Sequence, residues 1–117
     1  KEIKYSSLVH KLQNVEHLQH QQAREVKRSI HKSPYPVIVV GDFNAIPLSY
    51  VYWKIKFGLH DCFLESSFGK LGNTYKRKGI GVRIDYILCS RQLTPIRCEV
   101  DRVKYSDHFP VYATIGW

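Results

Sequence analysis

The sequence predicts an α/β (α+β) domain in which helices lie across a mixed or antiparallel sheet. No Gly or Pro occurs from Ser7 to His31, and apolar residues recur there every three or four positions, which is typical of an amphipathic helix. The β-branched run Val37–Val40 follows, and its continuous apolarity indicates a strand covered on both faces. Further strand patterns close the chain, so the order of elements changes from helix–strand to strand–strand.

The helical segments have recognisable ends. Pro34 ends the long helix, and the step of five residues from Leu18 to Ala23 predicts a bend or a split between them. A shorter helix is expected from Pro47 or Ser49 through about residue 56. Residues 1–33 are therefore mostly helical, and residues 34–117 form an α/β part of the same single domain.

The strands of the second half alternate with loops. Residues 59–63 are ambiguous, while the regions 69–72 and 76–81 are expected to be loops on either side of a short strand near Thr74 and Tyr75. Three clearer strands are predicted at 83–89, from 95 or 96 to about 103, and at 110–115.

The composition limits the classes of protein to which this chain can belong. The chain has 117 residues, 18 Lys plus Arg against 10 Asp plus Glu, and a formal net charge of +8. No stretch approaches the ~20 apolar residues that span a bilayer, and three Cys without a C-x-x-C spacing argue against a disulfide framework or a structural zinc site. The positive charge suits a polyanionic partner, so a basic nucleic-acid-binding module without catalysis is one hypothesis. The basic residues are scattered, however, and their densest group, 76–78, is equally typical of a solvated loop.

Polar residues follow the predicted buried strand. In Gly41-Asp42-Phe43-Asn44, two-residue alternation places Asp42 and Asn44 on one side and Phe43 on the other. The end of a covered strand is where α/β folds usually hold ligands. The alternative is an Asx turn without further function.

Two later segments add an acid and an imidazole. Asp85 lies in an apolar strand pattern, where an unpaired carboxylate would be costly to bury. His108 could satisfy it, and an Asp that fixes one tautomer of a His is a common catalytic arrangement. The alternatives are structural: Asp85 could pair with Arg83 or Arg91, and Asp107 with His108 could cap the last strand.

Taken together and in this order, the three motifs resemble the endonuclease/exonuclease/phosphatase superfamily, in particular the deoxyribonuclease I and apurinic endonuclease group. The resemblance runs from about Pro34 to Ile115, and Pro47, Ser49 and the stretch 72–75 also fit it. It implies a deoxyribonuclease I-like four-layer α/β/β/α sandwich and a Mg²⁺- or Mn²⁺-dependent hydrolase of phosphoester bonds.

The resemblance also implies roles for individual residues. Asp42 would orient or deprotonate the attacking water, and Asn44 would hold a phosphate oxygen. Asp85 would pair with His108, which would contact the scissile phosphate and offset charge in the transition state. Asp107 would lie beside the metal or help to position the nucleophile. The resemblance implies that the substrate would be a phosphoester, with DNA and a phospholipid head group among the candidates.

One departure from the family pattern is evident. The family's early Asn, its metal-binding Glu and a further phosphate-contacting residue have no matching motif before Asp42, and the sequence begins at Lys1 rather than Met. We therefore expect the chain to be the C-terminal half of the domain, with half of the sandwich. Alone it should bind metal weakly, turn over little and self-associate through exposed sheet surface. The parent protein would be bacterial, and either cytoplasmic or attached to a membrane through its missing N-terminal part.

Overall fold

A computed structural model describes residues 2–66, 72–77, 80–103 and 106–117, and the side chains of 14–66, 72–76, 81–103 and 106–117. The elements in chain order are α1 (Glu2–Lys32), β1 (Ile38–Asp42), α2 (Tyr50–Lys56), β2 (Leu59–Asp61), α3 (Cys62–Ser66), β3 (Tyr75–Arg77), β4 (Ile80–Val82), β5 (Asp85–Ser90), β6 (Thr94–Val100) and β7 (Val111–Gly116).

The described strands form three small antiparallel sheets. The central sheet has the order β1-β5-β2, and β3-β4 and β6-β7 are separate pairs. The antiparallel alternative of the sequence prediction is thus correct for these pairs. The region 76–81, predicted as a loop, instead contributes to β3 and β4, with residues 78 and 79 outside the described part; most of the predicted loop 69–72 also lies outside it.

Layers pack on both faces of the central sheet. One apolar cluster joins this sheet to α1 and α2 and includes Ala23, Tyr52, Ile55, Tyr86 and Leu88. On the opposite face, a second cluster joins β5 to α3 and the β6-β7 pair, and includes Cys62, Phe63, Cys89 and Cys98. The layers therefore follow the order helix, sheet, sheet. The end of β1 and the start of β5 lie side by side at one end of the central sheet, which we call the rim.

Helix α1 is one continuous helix, so a split, one of the two predicted alternatives, is wrong. Its C-terminal half packs on the domain through buried Ala23 and Lys27, whereas Val15 and Leu18 are 55% and 53% exposed. The change in apolar spacing therefore marks the point at which the helix leaves the body of the domain. Among the described residues, no helix combines the length and the apolar character that a bilayer span requires.

Strand β1 is covered on one face only, which corrects the prediction of two covered faces. Val39 packs against the helices, but Ile38 and Val40 on the other face are 53% and 67% exposed. Strand β1 also lies at the edge of its sheet. The described part of the chain does not supply the second cover that the apolar run predicted.

Candidate active site

Two carboxylates lie opposite each other at the end of the central sheet. Asp42 is the last residue of β1 and Asp85 is the first of β5, and the antiparallel register pairs them directly. The sequence pattern predicted that Asp85 lies buried inside a strand. In the structure Asp85 is the first residue of β5, and its side chain is 21% exposed. An antiparallel ladder brings the end of one strand to the start of its partner, which explains why acids far apart in sequence meet here.

His108 lies between these carboxylates. Its Nδ1 is 2.8 Å from Oδ2 of Asp85, and its Nε2 is 3.6 Å from Oδ2 of Asp42. The contact between Asp85 and His108 that the sequence predicted is therefore present. Because a carboxylate only accepts, Nδ1 carries the proton in this hydrogen bond.

The charges around His108 favour its protonated form. The hydrogen bond to Asp85 raises the pKa of His108 above its ordinary value, and the charges of Asp85, Asp42 and Asp107 act in the same direction, against partial desolvation. The side chain is 38% exposed, so it can reach a ligand as well as its two carboxylates.

Backbone contacts hold the segment around His108. The main chains of Tyr75 and His108 form a β-bridge, and their rings lie 4.9 Å apart between centroids. The N–H of Lys76 donates to the carbonyl of Asp107 at 2.9 Å. The N–H of His108 donates to the Ser106 hydroxyl at 3.2 Å. Strand β3 therefore positions the imidazole over the end of the central sheet.

Asn44 follows Asp42 in a tight turn. Its φ of 50° lies in the left-handed region, and its N–H donates to Oδ1 of Asp42 at 2.7 Å. The turn engages Oδ1 of Asp42 in a hydrogen bond, and Oδ2 of Asp42 faces His108. Phe43 points to the other side, where its ring contacts that of Tyr86. The Asx turn considered as an alternative is thus real, and it also orients the Asp42 carboxylate.

Asp107 stands apart from the cluster of Asp42, Asp85 and His108. Ligand atoms of those three residues all lie within 4.8 Å of one another, and Asp107 is not one of the group among the described residues. Asp107 is exposed and influences the cluster through its charge on His108. Its role beside a metal stays a prediction.

A buried ion pair beside the site was missed by the sequence reasoning. Arg83 donates through Nη1 to both oxygens of Asp61, at 3.1 and 2.8 Å, and the Tyr52 hydroxyl donates to Oδ2 of Asp61 at 2.6 Å. Arg91 donates to the Gly58 carbonyl. Both cations proposed as alternative partners of Asp85 therefore have other acceptors. The available signal was Asp61 itself, an acid directly before Cys62 and Phe63 in the ambiguous segment.

Sequence comparison agrees with this architecture. Residues 7–108 match the model of the Endonuclease/Exonuclease/phosphatase family. The chain belongs to the endonuclease/exonuclease/phosphatase family. No curated protein sequence matches it significantly.

Solved structures show the same fold. An endonuclease/exonuclease/phosphatase from Bacteroides vulgatus is 23% identical, with a TM-score of 0.72 over 83% of this chain and 43% of that one. The 3′ phosphatase NExo from Neisseria, bound to a product DNA hairpin, is 20% identical, with a TM-score of 0.75 over 92% and 55%. An AP endonuclease from Archaeoglobus fulgidus is 20% identical, with a TM-score of 0.67 over 80% and 52%. The chain has the mixed α/β, deoxyribonuclease I-like fold of this family and spans about half the length of these relatives.

The donor set of the cluster fits a hard divalent cation. Asp42 and Asp85 present carboxylate oxygens on neighbouring strands, and Mg²⁺ sites commonly use one or two carboxylates together with water and substrate phosphate. Nδ1 of His108 is engaged in its hydrogen bond with Asp85, so the pair of Asp85 and His108 offers a cation a carboxylate oxygen rather than this ring nitrogen. The cluster can therefore take part in a metal site of this endonuclease/exonuclease/phosphatase chain.

Proposed function

We propose that this chain carries part of the active site of a metal-dependent phosphoester hydrolase, with Asp42, Asn44, Asp85 and His108 as its catalytic residues. The observation that supports this most directly is the convergence of His108 with Asp42 and Asp85 at the rim of the sheet, with Nδ1 and Nε2 facing different carboxylates. Membership of a family whose solved members include a 3′ phosphatase and an AP endonuclease supports the reaction class.

His108 acts on the phosphate through its charge. The Asp85 hydrogen bond at Nδ1 fixes the orientation of the ring and favours the imidazolium. The Nε2–H is then directed towards the rim, where it donates to a phosphoryl oxygen and offsets the negative charge that grows in the transition state. Asp85 therefore has two roles in this proposal: it positions the imidazole, and its carboxylate would help to hold the cation.

Asp42 orients the attacking water. Its Oδ1 is held by the Asn44 N–H, while Oδ2 lies 3.6 Å from Nε2 of His108. A water that donates to Oδ2 would thus lie close to the phosphate held by His108, as in-line attack requires. The Asn44 side chain is exposed beside the turn, and we assign it to a second phosphate oxygen.

Mg²⁺ or Mn²⁺ is the proposed cofactor. The carboxylates of Asp42 and Asp85 would hold it, and Asp107, the residue before His108, stays a further candidate ligand. Such an ion would polarise the phosphoryl group and neutralise its oxygens. Two adjacent carboxylates on their own repel a phosphodiester, which gives the cation a further purpose and argues against a basic nucleic-acid-binding module without catalysis.

We further infer that the chain is the C-terminal half of a larger catalytic domain. Ile38 and Val40 are exposed on an edge strand, and the chain covers about half of its solved relatives. The remaining half would pair with β1 and cover these residues. Alone, the chain would have little activity and would bury the same surface by self-association.

The substrate proposed is a phosphoester, with DNA the first to test. One structural relative is described with a DNA hairpin product and another as an AP endonuclease. A sugar phosphate is a further candidate, because a relative with a TM-score of 0.57 is described as a mannosyl-6-phosphatase. Phospholipid head groups stay a prediction from the sequence.

Activity of the completed domain tests the proposal. With upstream sequence restored and Mg²⁺ supplied, hydrolysis of aryl phosphoesters and DNA is measured for the unmodified protein, Asp42→Ala and His108→Ala. We expect each substitution to lower kcat by about 100-fold or more, because positioned groups of this kind contribute that much. Glu99→Ala, which removes an exposed carboxylate paired with Arg97, is the control and should retain activity. Equal rates in all four proteins would refute the assignment.

A further inference from the structure

Thr74 is a buried residue whose polar groups are all engaged next to the candidate site. It is 1% exposed, and its N–H donates to the carbonyl of Val82 at 2.9 Å. Its carbonyl accepts from the N–H of Phe109 at 2.6 Å. Its hydroxyl oxygen accepts from the N–H groups of both Ile84 and Asp85, each at 3.0 Å.

The hydroxyl replaces a missing ladder partner. Strand β2 pairs with β5 only as far as Leu88, so it does not reach the beginning of β5. Ile84 precedes the strand, and Asp85 is its first residue. The Thr74 oxygen supplies the Asp85 N–H with the acceptor that a longer β2 would otherwise provide, and its second bond holds the N–H of Ile84. It thereby fixes the backbone from which the Asp85 side chain projects.

The same residue also holds the other partner. Phe109, which donates to the Thr74 carbonyl, directly follows His108. Thr74 is thus bonded to the Asp85 backbone through its hydroxyl and to the segment of His108 through Phe109. The Asp85 and His108 side chains themselves meet at 2.8 Å. A shift of Thr74 relative to either segment would change the distance between carboxylate and imidazole.

We propose that Thr74 is a positioning residue that sets the Asp85–His108 contact through its hydroxyl. This proposal rests on the proposed function for the purpose of that contact, but its geometry is independent of catalysis. The competing explanation is that the hydroxyl only stabilises the fold, in which case its removal would leave the imidazole as it is.

The tautomer of His108 distinguishes these explanations. Nitrogen NMR of the imidazole is recorded on the 117-residue chain without metal, at a pH where the ring is neutral. The unmodified chain should hold its proton on Nδ1, because Asp85 only accepts. Thr74→Val has nearly the same shape but no acceptor for the two N–H groups, and it should lose this preference and show a mixture with the Nε2–H tautomer.

Three further variants test whether a change in the His108 tautomer comes from loss of the Thr74 hydroxyl. Thr74→Ser keeps the hydroxyl and should retain the Nδ1–H tautomer. Asp85→Ala breaks the contact directly and supplies the spectrum of His108 without its Asp85 hydrogen bond. Thr114→Val makes the same chemical change at an exposed position on β7 and should leave His108 unaltered. A Thr74→Val spectrum equal to that of the unmodified chain would overturn the proposal.

Amide hydrogen exchange keeps the test decisive if Thr74→Val does not fold. In the unmodified chain and in Thr74→Ser, the N–H groups of Ile84 and Asp85 should be protected like those of the β1-β5 ladder. Exchange at the rate of an unstructured loop would overturn the proposal. None of these measurements depends on hydrolysis, so the expected tautomers in this chain, together with a completed domain that hydrolyses no phosphoester, would refute the proposed function alone.

Discussion

The pKa of His108 is raised by carboxylates that two different strands contribute. Asp85 accepts from Nδ1 at 2.8 Å, and Asp42 lies near Nε2 at 3.6 Å. Because the folded-state pKa is raised above the unfolded value, the stabilisation from this pair is complete below the unfolded pKa of His. It is lost as the pH rises through the folded pKa.

Asp85→Asn is therefore expected to lower the pKa of His108 in the metal-free chain. The substitution removes the carboxylate whose hydrogen bond, and then whose charge, raises the pKa of His108, while it keeps the size of the side chain. An NMR titration of the imidazole measures the change. Glu99→Gln, which neutralises an exposed acid that pairs with Arg97, is the control and should leave the His108 curve in place. A curve unchanged by Asp85→Asn would contradict the pairing.

The buried pair of Arg83 and Asp61 contributes to stability rather than to proton chemistry. Their side chains are 8% and 1% exposed. Arg83→Met leaves the Asp61 carboxylate buried with only the Tyr52 hydroxyl and backbone N–H groups, so a loss of about 3–5 kcal/mol of unfolding free energy is expected. Urea denaturation measures it. Arg97→Met, in an exposed ion pair, should cost about 1 kcal/mol or less, and equal losses would argue against a special role for burial.

At the scale of elements, α2 shows how local signals persist in the fold. Ser49 is its N-cap, with φ −82° and ψ 155°, and its hydroxyl accepts from the N–H of Tyr52. At the other end, the ammonium of buried Lys27 donates to the carbonyls of Ile55 and Phe57, so a residue of α1 satisfies the terminal carbonyls of α2.

Removal of the N-cap should destabilise the chain measurably. Ser49→Ala leaves the Tyr52 N–H without its acceptor and is expected to cost about 1 kcal/mol, as measured by thermal or urea unfolding. Ser29→Ala, at an exposed position within α1, should stay within about 0.5 kcal/mol of the unmodified chain. If the two variants unfold alike, the cap contributes nothing at this site.

The element predictions succeeded where the signal was local. The helix from Ser49, the alternation of β7 and the apolar core of β5 follow from caps and from periods of 3.6 and 2. The short strand predicted near Thr74 and Tyr75 corresponds to the start of β3. Its pairing with β4 was missed because the Gly-containing, basic sequence 76–81 is typical of a loop, and the pairing depends on a partner strand. The split in α1 was a wrong prediction because apolar spacing reports where a helix is packed as well as where it is interrupted.

For the whole molecule, the exposed face of β1 is the feature with the largest consequence. Ile38 and Val40 are 53% and 67% exposed on a strand with an unpaired edge among the described residues. An apolar edge strand is a template for association with another chain.

Light scattering should accordingly detect a dimer or a larger species of the 117-residue chain. Val40→Lys places a charge on this edge and should shift the population towards monomer. Leu48→Lys removes an apolar side chain that is 86% exposed elsewhere and should leave the association unchanged. A stable monomer of the unmodified chain would count against the half-domain proposal.

The sequence by itself determined the family, the layered α/β architecture and the residues of the candidate site, because three short motifs place acids and an imidazole where packing alone would not. Only the tertiary structure decided how they meet. The β1-β5 register sets Asp42 opposite Asp85, and the bridge from Tyr75 brings His108 over both. The tertiary structure also showed that Arg83 pairs with Asp61, and that within the described part of the chain one face of β1 stays exposed. These features depend on register and on contacts between segments distant in the chain, which local propensity does not specify.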